Sequence, residues 1–185
     1  MTSPLVDQHR QDLGYLIGLA QADLFGIWTF PDDRDATALA LMDVLPDLVD
    51  TYGQSATALG ADWYEETRDN AGVPGRFPAV PATLPDKGRT DALAWWGTQF
   101  TVKFDPVAAQ EKVMGGLQRI IANADRQTVM ESAVKDPKAK GWKRVGSGKC
   151  EFCRMLIGRG AVYTEATAQF KSHDHCGCSA VPVWS

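Results

Sequence analysis

With 185 residues, of which 44% are apolar and 23% charged, the chain has the composition of an ordinary globular protein. It is too apolar for disorder, too often interrupted by charge for a membrane span, and long enough to bury a core. The net charge of −4 hides an asymmetry: residues 134–185 carry nine Lys or Arg against four acids, a net of +5, which leaves −9 on the remainder. Such a division speaks to association and solubility rather than to fold, and ordinary solvated surface is its simplest meaning.

Thr2-Ser3-Pro4 pairs an N-cap hydroxyl with proline at the first helical position. The helix predicted from there has Leu5, Leu13, Leu16, Ile17, Ala20, Leu24 and Trp28 on its apolar face and ends near Phe25-Gly26. His9 falls among polar neighbours and is expected in solvent. Pro31-Asp32-Asp33 turns the chain into a second amphipathic helix marked by Ala36, Leu39, Met42, Leu45, Leu48, Val49 and Tyr52, with Pro46 expected to kink or split it. Gly53 offers a break, and Ala56, Leu59, Trp63, Tyr64 and Thr67 predict a third helix to about Arg68.

Pro74, Pro78, Pro81 and Pro85, interleaved with Gly72, Gly75 and Gly88, preclude regular structure and predict an extended path across a neighbouring surface. A short helix follows with Asp91, Leu93, Trp95 and Trp96. Asp105-Pro106 then caps a longer one whose face is Val107, Val113, Leu117, Ile120, Ile121, Ala124 and Val129. Gly115-Gly116 weakens it locally, and Asp136-Pro137 closes it. Trp28, Trp63, Trp95 and Trp96 lie on or beside apolar stripes and are read as core packing.

Short β-like runs at Trp142–Val145, Ala161–Tyr163 and Ser179–Trp184 make up a small C-terminal unit. The fold class is therefore mainly α, a helical body with a small β-containing module. It divides into an N-terminal helical region 1–70, a Pro/Gly-rich linker 71–89, a helical region 90–136 and a module 137–185. So small a unit needs a staple, and the sequence supplies one. All four cysteines fall between positions 150 and 178, where metal is favoured over disulfides that would staple a whole domain.

Cys150 and Cys153 form a C-x-x-C unit, a gap that presents two thiolates to one tetrahedral ion. The later run His173-Asp174-His175-Cys176-Gly177-Cys178 contains two overlapping H-x-x-C units. Six candidates thus compete for four places around Zn2+: Cys150, Cys153, His173, His175, Cys176 and Cys178. His173 and Cys176 are the preferred completion, with Cys178 the close rival. Asp174 is either an acceptor orienting a ligating imidazole or a plain surface acid.

The order and spacing of Trp142-Lys143-Arg144-Val145, Cys150 to Leu156, Arg159 to Tyr163, His173 to Cys178 and Val181-Pro182-Val183 resemble the C-terminal motif of Mu F-like phage minor head proteins. More loosely, His9-Arg10, Trp63-Tyr64 before Arg68 and the helix near 106–135 resemble versions from tailed phages of actinobacterial hosts, often labelled capsid maturation protease. The resemblance implies a minor head protein acting in head morphogenesis or genome packaging. Its implied partners are portal and capsid proteins, with packaged DNA as a further one, and its implied location is the host cytoplasm during assembly and then the capsid interior.

The protease label finds little support in the residues. Gly146-Ser147-Gly148 lacks nucleophile-elbow spacing, and Ser172-His173-Asp174 are neighbours whose side chains would not normally converge. A zinc peptidase needs an open coordination position and a base such as Glu165, but no H-E-x-x-H is present and thiolates suit structural sites better. A nucleic-acid-binding module, using the basic end with Trp142, Phe152, Tyr163 and Phe170 interleaved, is the third reading. No membrane partner is expected, and the N-terminus has no signal-peptide pattern.

Overall fold

The computed structural model describes residues 3–28, 33–146, 150–160, 162–164 and 170–184. Four helices form the body: α1 (Pro4–Gly26), α2 (Arg34–Asn70), α3 (Lys87–Gln99) and α4 (Pro106–Lys135). A strand β1 (Ala139–Val145), a short helix α5 (Glu151–Gly158) and a strand β2 (Ser179–Trp184) complete the described elements. The protein is mainly α, with a small antiparallel sheet of β1 against β2.

Caps fix the helix starts. Ser3, Asp33, Asp86 and Asp105 each accept a hydrogen bond from a backbone N–H of the first turn, so orphan donors at four N-termini are satisfied. Asp86 starts α3 at Lys87, three residues before the predicted resumption at Thr90. The second and third predicted helices are one, the 37-residue α2, which runs through both Pro46 and Gly53. Burial of Leu45 and Val49 on either side of Pro46 offsets the hydrogen bond the proline forgoes. Gly53 serves close approach rather than termination: a Cβ there would stand 2.9 Å from Leu84 Cδ2 in the segment crossing α2.

That segment, between α2 and α3, follows the extended path its prolines predict. Ala79 N–H donates to Glu65, Val80 N–H to the Ser132 hydroxyl at 2.8 Å and Ala82 N–H to the Thr128 hydroxyl at 3.0 Å. Both hydroxyls also donate to α4 carbonyls, so two buried side chains satisfy helix and strap together. Arg68, buried at the end of α2, locks the near end of the strap. Its Nε donates to Asp136 at 2.8 Å, and its terminal nitrogens donate to the carbonyls of Val73, Pro74 and Gly75.

Two cores result. The first joins Leu13, Ile17 and Leu24 of α1 to Leu41, Leu45 and Val49 of α2 and to Val113, Leu117 and Ile121 of α4. The second is shared between body and C-terminal segment, packing Trp63, Tyr64, Val129 and Met130 with Trp142, Cys153, Phe170, Cys176 and Cys178. In the sheet, Trp142 is opposite Pro182 and spends its backbone N–H and C=O on Tyr163, so the donor that Pro182 lacks is not missed. Of the predicted Ala161–Tyr163 run, Tyr163 forms only this isolated bridge, and Ala161 lies outside the described residues.

Several side-chain expectations fail, for different reasons. His9 is buried, stacked on Trp63 with centroids 4.2 Å apart, and its Nε2 lies 2.9 Å from Asp125 Oδ1. The buried positions of α1 are 6, 9, 13, 17, 20 and 24, so His9 sits squarely on the inward stripe and only its polarity hid it. Trp95 and Trp96 are 45% and 67% exposed, because α3 buries Thr90, Ala94, Gly97 and Thr98 instead. Small residues let that helix lie close to α4, and the bulky ones face out. Leu39 and Val107 are likewise exposed.

Candidate metal centre

Two separate pieces of chain supply the donors. Cys150 is the N-cap of α5, its Sγ accepting the Cys153 N–H at 3.2 Å, so the C-x-x-C spacing spans the first turn of a helix that periodicity had not revealed. The second piece is the loop from 173 to 178 that leads into β2. Its turn is closed by Cys176 N–H donating to His173 O and passes through His175 at φ 61°, a left-handed backbone uncommon for a side chain other than glycine.

The loop is held by Arg126, a buried residue of α4. Its Nε donates to Cys178 O at 2.8 Å, its Nη2 to Cys176 O at 2.6 Å and its Nη1 to Asn123 Oδ1 at 2.9 Å. The guanidinium groups of Arg126 and Arg144 both lie over the Phe170 ring, at 4.8 and 3.7 Å from its centroid. Nothing in the motif spacing pointed to Arg126. Its place one helical stripe away from the apolar face of α4 was the only available signal.

The donors fall into two trios that share Cys153: Cys150, Cys153 and His173, and Cys153, Cys176 and Cys178, with the atoms of each trio within 4.8 Å of one another. His173 Nε2 is 3.1 Å from Cys150 Sγ and 3.6 Å from Cys153 Sγ, and Cys153 Sγ is 3.8 Å from Cys176 Sγ. Tetrahedral zinc with Zn–S of about 2.3 Å and Zn–N of about 2.0 Å sets its donors roughly 3.5–3.8 Å apart; the two Cys153 distances match that spacing, and the Cys150–His173 distance is the shorter one of a hydrogen bond. Of the preferred donors, Cys150 and His173 share one trio with Cys153, whereas Cys176 belongs with Cys178 to the other, so Cys153 is the link between the two halves.

His175 joins neither trio. It turns toward α4, where Nδ1 lies 3.1 Å from Gln118 Oε1 and the ring occupies the space that a Cβ on Gly115 would need. Asp174 plays neither expected part. Its backbone carbonyl, not its carboxylate, takes the His173 Nδ1 at 2.6 Å, which leaves Nε2 to face the thiols. Its carboxylate instead meets Lys112 at 2.8 Å and Arg119 at 3.3 Å on α4.

The thiols do not ionise independently. Hydrogen bonding from Cys178, reinforced by Arg126, holds Cys176 well below the usual thiol range against the effect of burial. The same bond and burial hold Cys178 above it, and burial pushes Cys153 up to about 11. The group therefore keeps a ready thiolate, the form that binds soft and borderline metals. Ser172 donates to Asn123 at 3.0 Å, so Ser172, His173 and Asp174 are directed to three different partners. Glu165, Ser147 and Gly148 lie outside the described residues.

A family model described as VG15 protein matches residues 1–185. The chain belongs to the VG15 protein family. That family is phage-associated, which makes the chain a phage protein. No curated protein and no solved structure matches the chain. None of its helices, among the described residues, is long and apolar enough to cross a membrane.

Proposed function

We propose that this VG15 protein is a minor head component of the Mu F-like type, acting in head morphogenesis or genome packaging beside portal and capsid proteins. It works in the host cytoplasm during assembly and enters the capsid interior. A structural zinc ion on Cys150, Cys153, His173 and Cys176 fastens α5 and the 173–178 loop to the helical body, with Cys178 hydrogen-bonded alongside. The observation that supports the zinc reading is that two trios of donors share Cys153, with His173 and Cys176 at 3.6 and 3.8 Å from its sulfur. A closed thiolate-rich set is the chemistry of structural rather than catalytic zinc. The head-protein reading rests on phage family membership together with the Mu F-like motif order.

Co-expression with the neighbouring portal and capsid proteins tests both parts in one preparation. Zinc near one per chain, with recovery in portal-containing particles and intact capsid protein, is the expected result. Absence of zinc from protein kept reduced removes the metal reading. Zinc together with trimmed capsid or scaffold protein replaces the structural role with a peptidase.

A further inference from the structure

Beside the first core, at the edge where Leu93, Ile120 and Ala124 reach the surface, α3 and α4 form a groove that the zinc reading does not use. Two recesses adjoin there between α3 and α4, sharing Arg89, Arg119 and Ile120. One continues to Trp96 and Lys112 and is walled by Asp174; the other continues to Asn123 and Gln127 and is walled by Thr83 and Pro85 of the strap. We propose that this α3–α4 groove binds single-stranded nucleic acid, with a base stacked on Trp96 and the flanking phosphates held by Arg89, Lys112 and Arg119.

Three features carry the assignment. Charge comes first: Lys112 and Arg119 share a single carboxylate, Asp174, at 2.8 and 3.3 Å, and Arg89 has no acidic partner among the described residues. Three cations against one acid leave the groove positive on a body that is otherwise acidic. Guanidinium groups match phosphate in fixed two-pronged geometry.

The second feature is Trp96, 67% exposed on the groove wall beside these cations. A bare indole next to arginines is the pairing by which strands are held without regard to sequence. A duplex hides its base faces, so Trp96 selects an unpaired strand. The third feature is the adjoining recess. Asn123 Oδ1 accepts from Arg126 and Ser172, which leaves its Nδ2 free to donate, and Gln127 Nε2 donates to Glu131, which leaves its Oε1 free to accept. A donor beside an acceptor suits the edge of a base, whereas the carboxylates of an acidic peptide would use donors alone.

The test uses the full-length protein and a fluorescently labelled 12-nucleotide oligothymidine, followed by anisotropy across a salt series. Binding that weakens steeply with salt is expected. Trp96→Ala should weaken it roughly tenfold. Arg89→Ala should weaken it and reduce the salt slope by about one, the mark of a lost phosphate contact. Trp95→Ala, altering an exposed tryptophan outside the groove, should leave binding unchanged. Both key side chains are exposed, so zinc content and circular dichroism should match the parent protein and separate loss of binding from loss of fold. No binding at low salt overturns the proposal. So does binding indifferent to Trp96 and equal for a duplex, or equal for polyglutamate, the latter pointing to an acidic protein partner.

Discussion

The helical body and the C-terminal segment reach order by different means. In the body, α1, α2 and α4 are 23, 37 and 30 residues long, each start is capped by its own sequence, and a continuous apolar stripe meets its neighbours. Among its described residues, the C-terminal segment has one eight-residue helix and two strands of seven and six residues. Its core is completed by side chains lent from α2 and α4. Local propensity is enough to set the first region. The second depends on groups that are distant in sequence, namely the shared cysteine and an arginine from α4.

The largest test of this contrast is Cys153→Ser, which removes the donor common to both trios. Zinc should be lost, and amide exchange across 139–184 should lose its protection while α2 and α4 keep theirs. A strong chelator acting on the parent protein should give the same pattern, because metal binding and folding of such a unit are one equilibrium. Global unfolding in either experiment would show that the body leans on the segment and would break the comparison.

Arg126→Met comes next. It keeps much of the side-chain volume but leaves the Cys176 and Cys178 carbonyls without their donor, at a cost of about 3–5 kcal/mol in urea unfolding. Arg126→Lys should not restore the parent value, since an ammonium cannot reach three acceptors in that planar arrangement. Asp136→Asn tests the joint between the regions. Asp136 accepts from both Tyr64 and Arg68, and neutralising it leaves the buried guanidinium without its counter-charge, costing about 2–3 kcal/mol. The smallest effect belongs to His175→Asn, which suits the left-handed backbone and removes no donor of either trio. Stability within about 0.5 kcal/mol of the parent and unchanged zinc are expected. Loss of zinc there would move the site to the second H-x-x-C unit.

The same contrast explains what the sequence made legible. Caps and periodicity located α1 and α4 almost to the residue, because those signals are local. They failed where tertiary context decides: Gly53 reads as a stop until Leu84 is seen against it, and the tryptophans of α3 read as core until its small residues are seen to be the buried ones. At the candidate site, the grouping of the cysteines with His173 was legible because metal chemistry favours those residue types at short spacing. Helix α5 was not, since eight residues are too few for a period to emerge. Nor was Arg126, whose acceptors lie 50 and 52 residues further along the chain.

Arg126 also bears on the reactivity of the site. With zinc held on the four proposed donors, three thiolates, a neutral imidazole and the divalent ion would sum to one negative charge, which the buried Arg126 guanidinium would offset. Neutralised in this way, the sulfurs are poorer nucleophiles, so the centre should resist alkylation and peroxide for as long as α4 keeps its arginine against the loop.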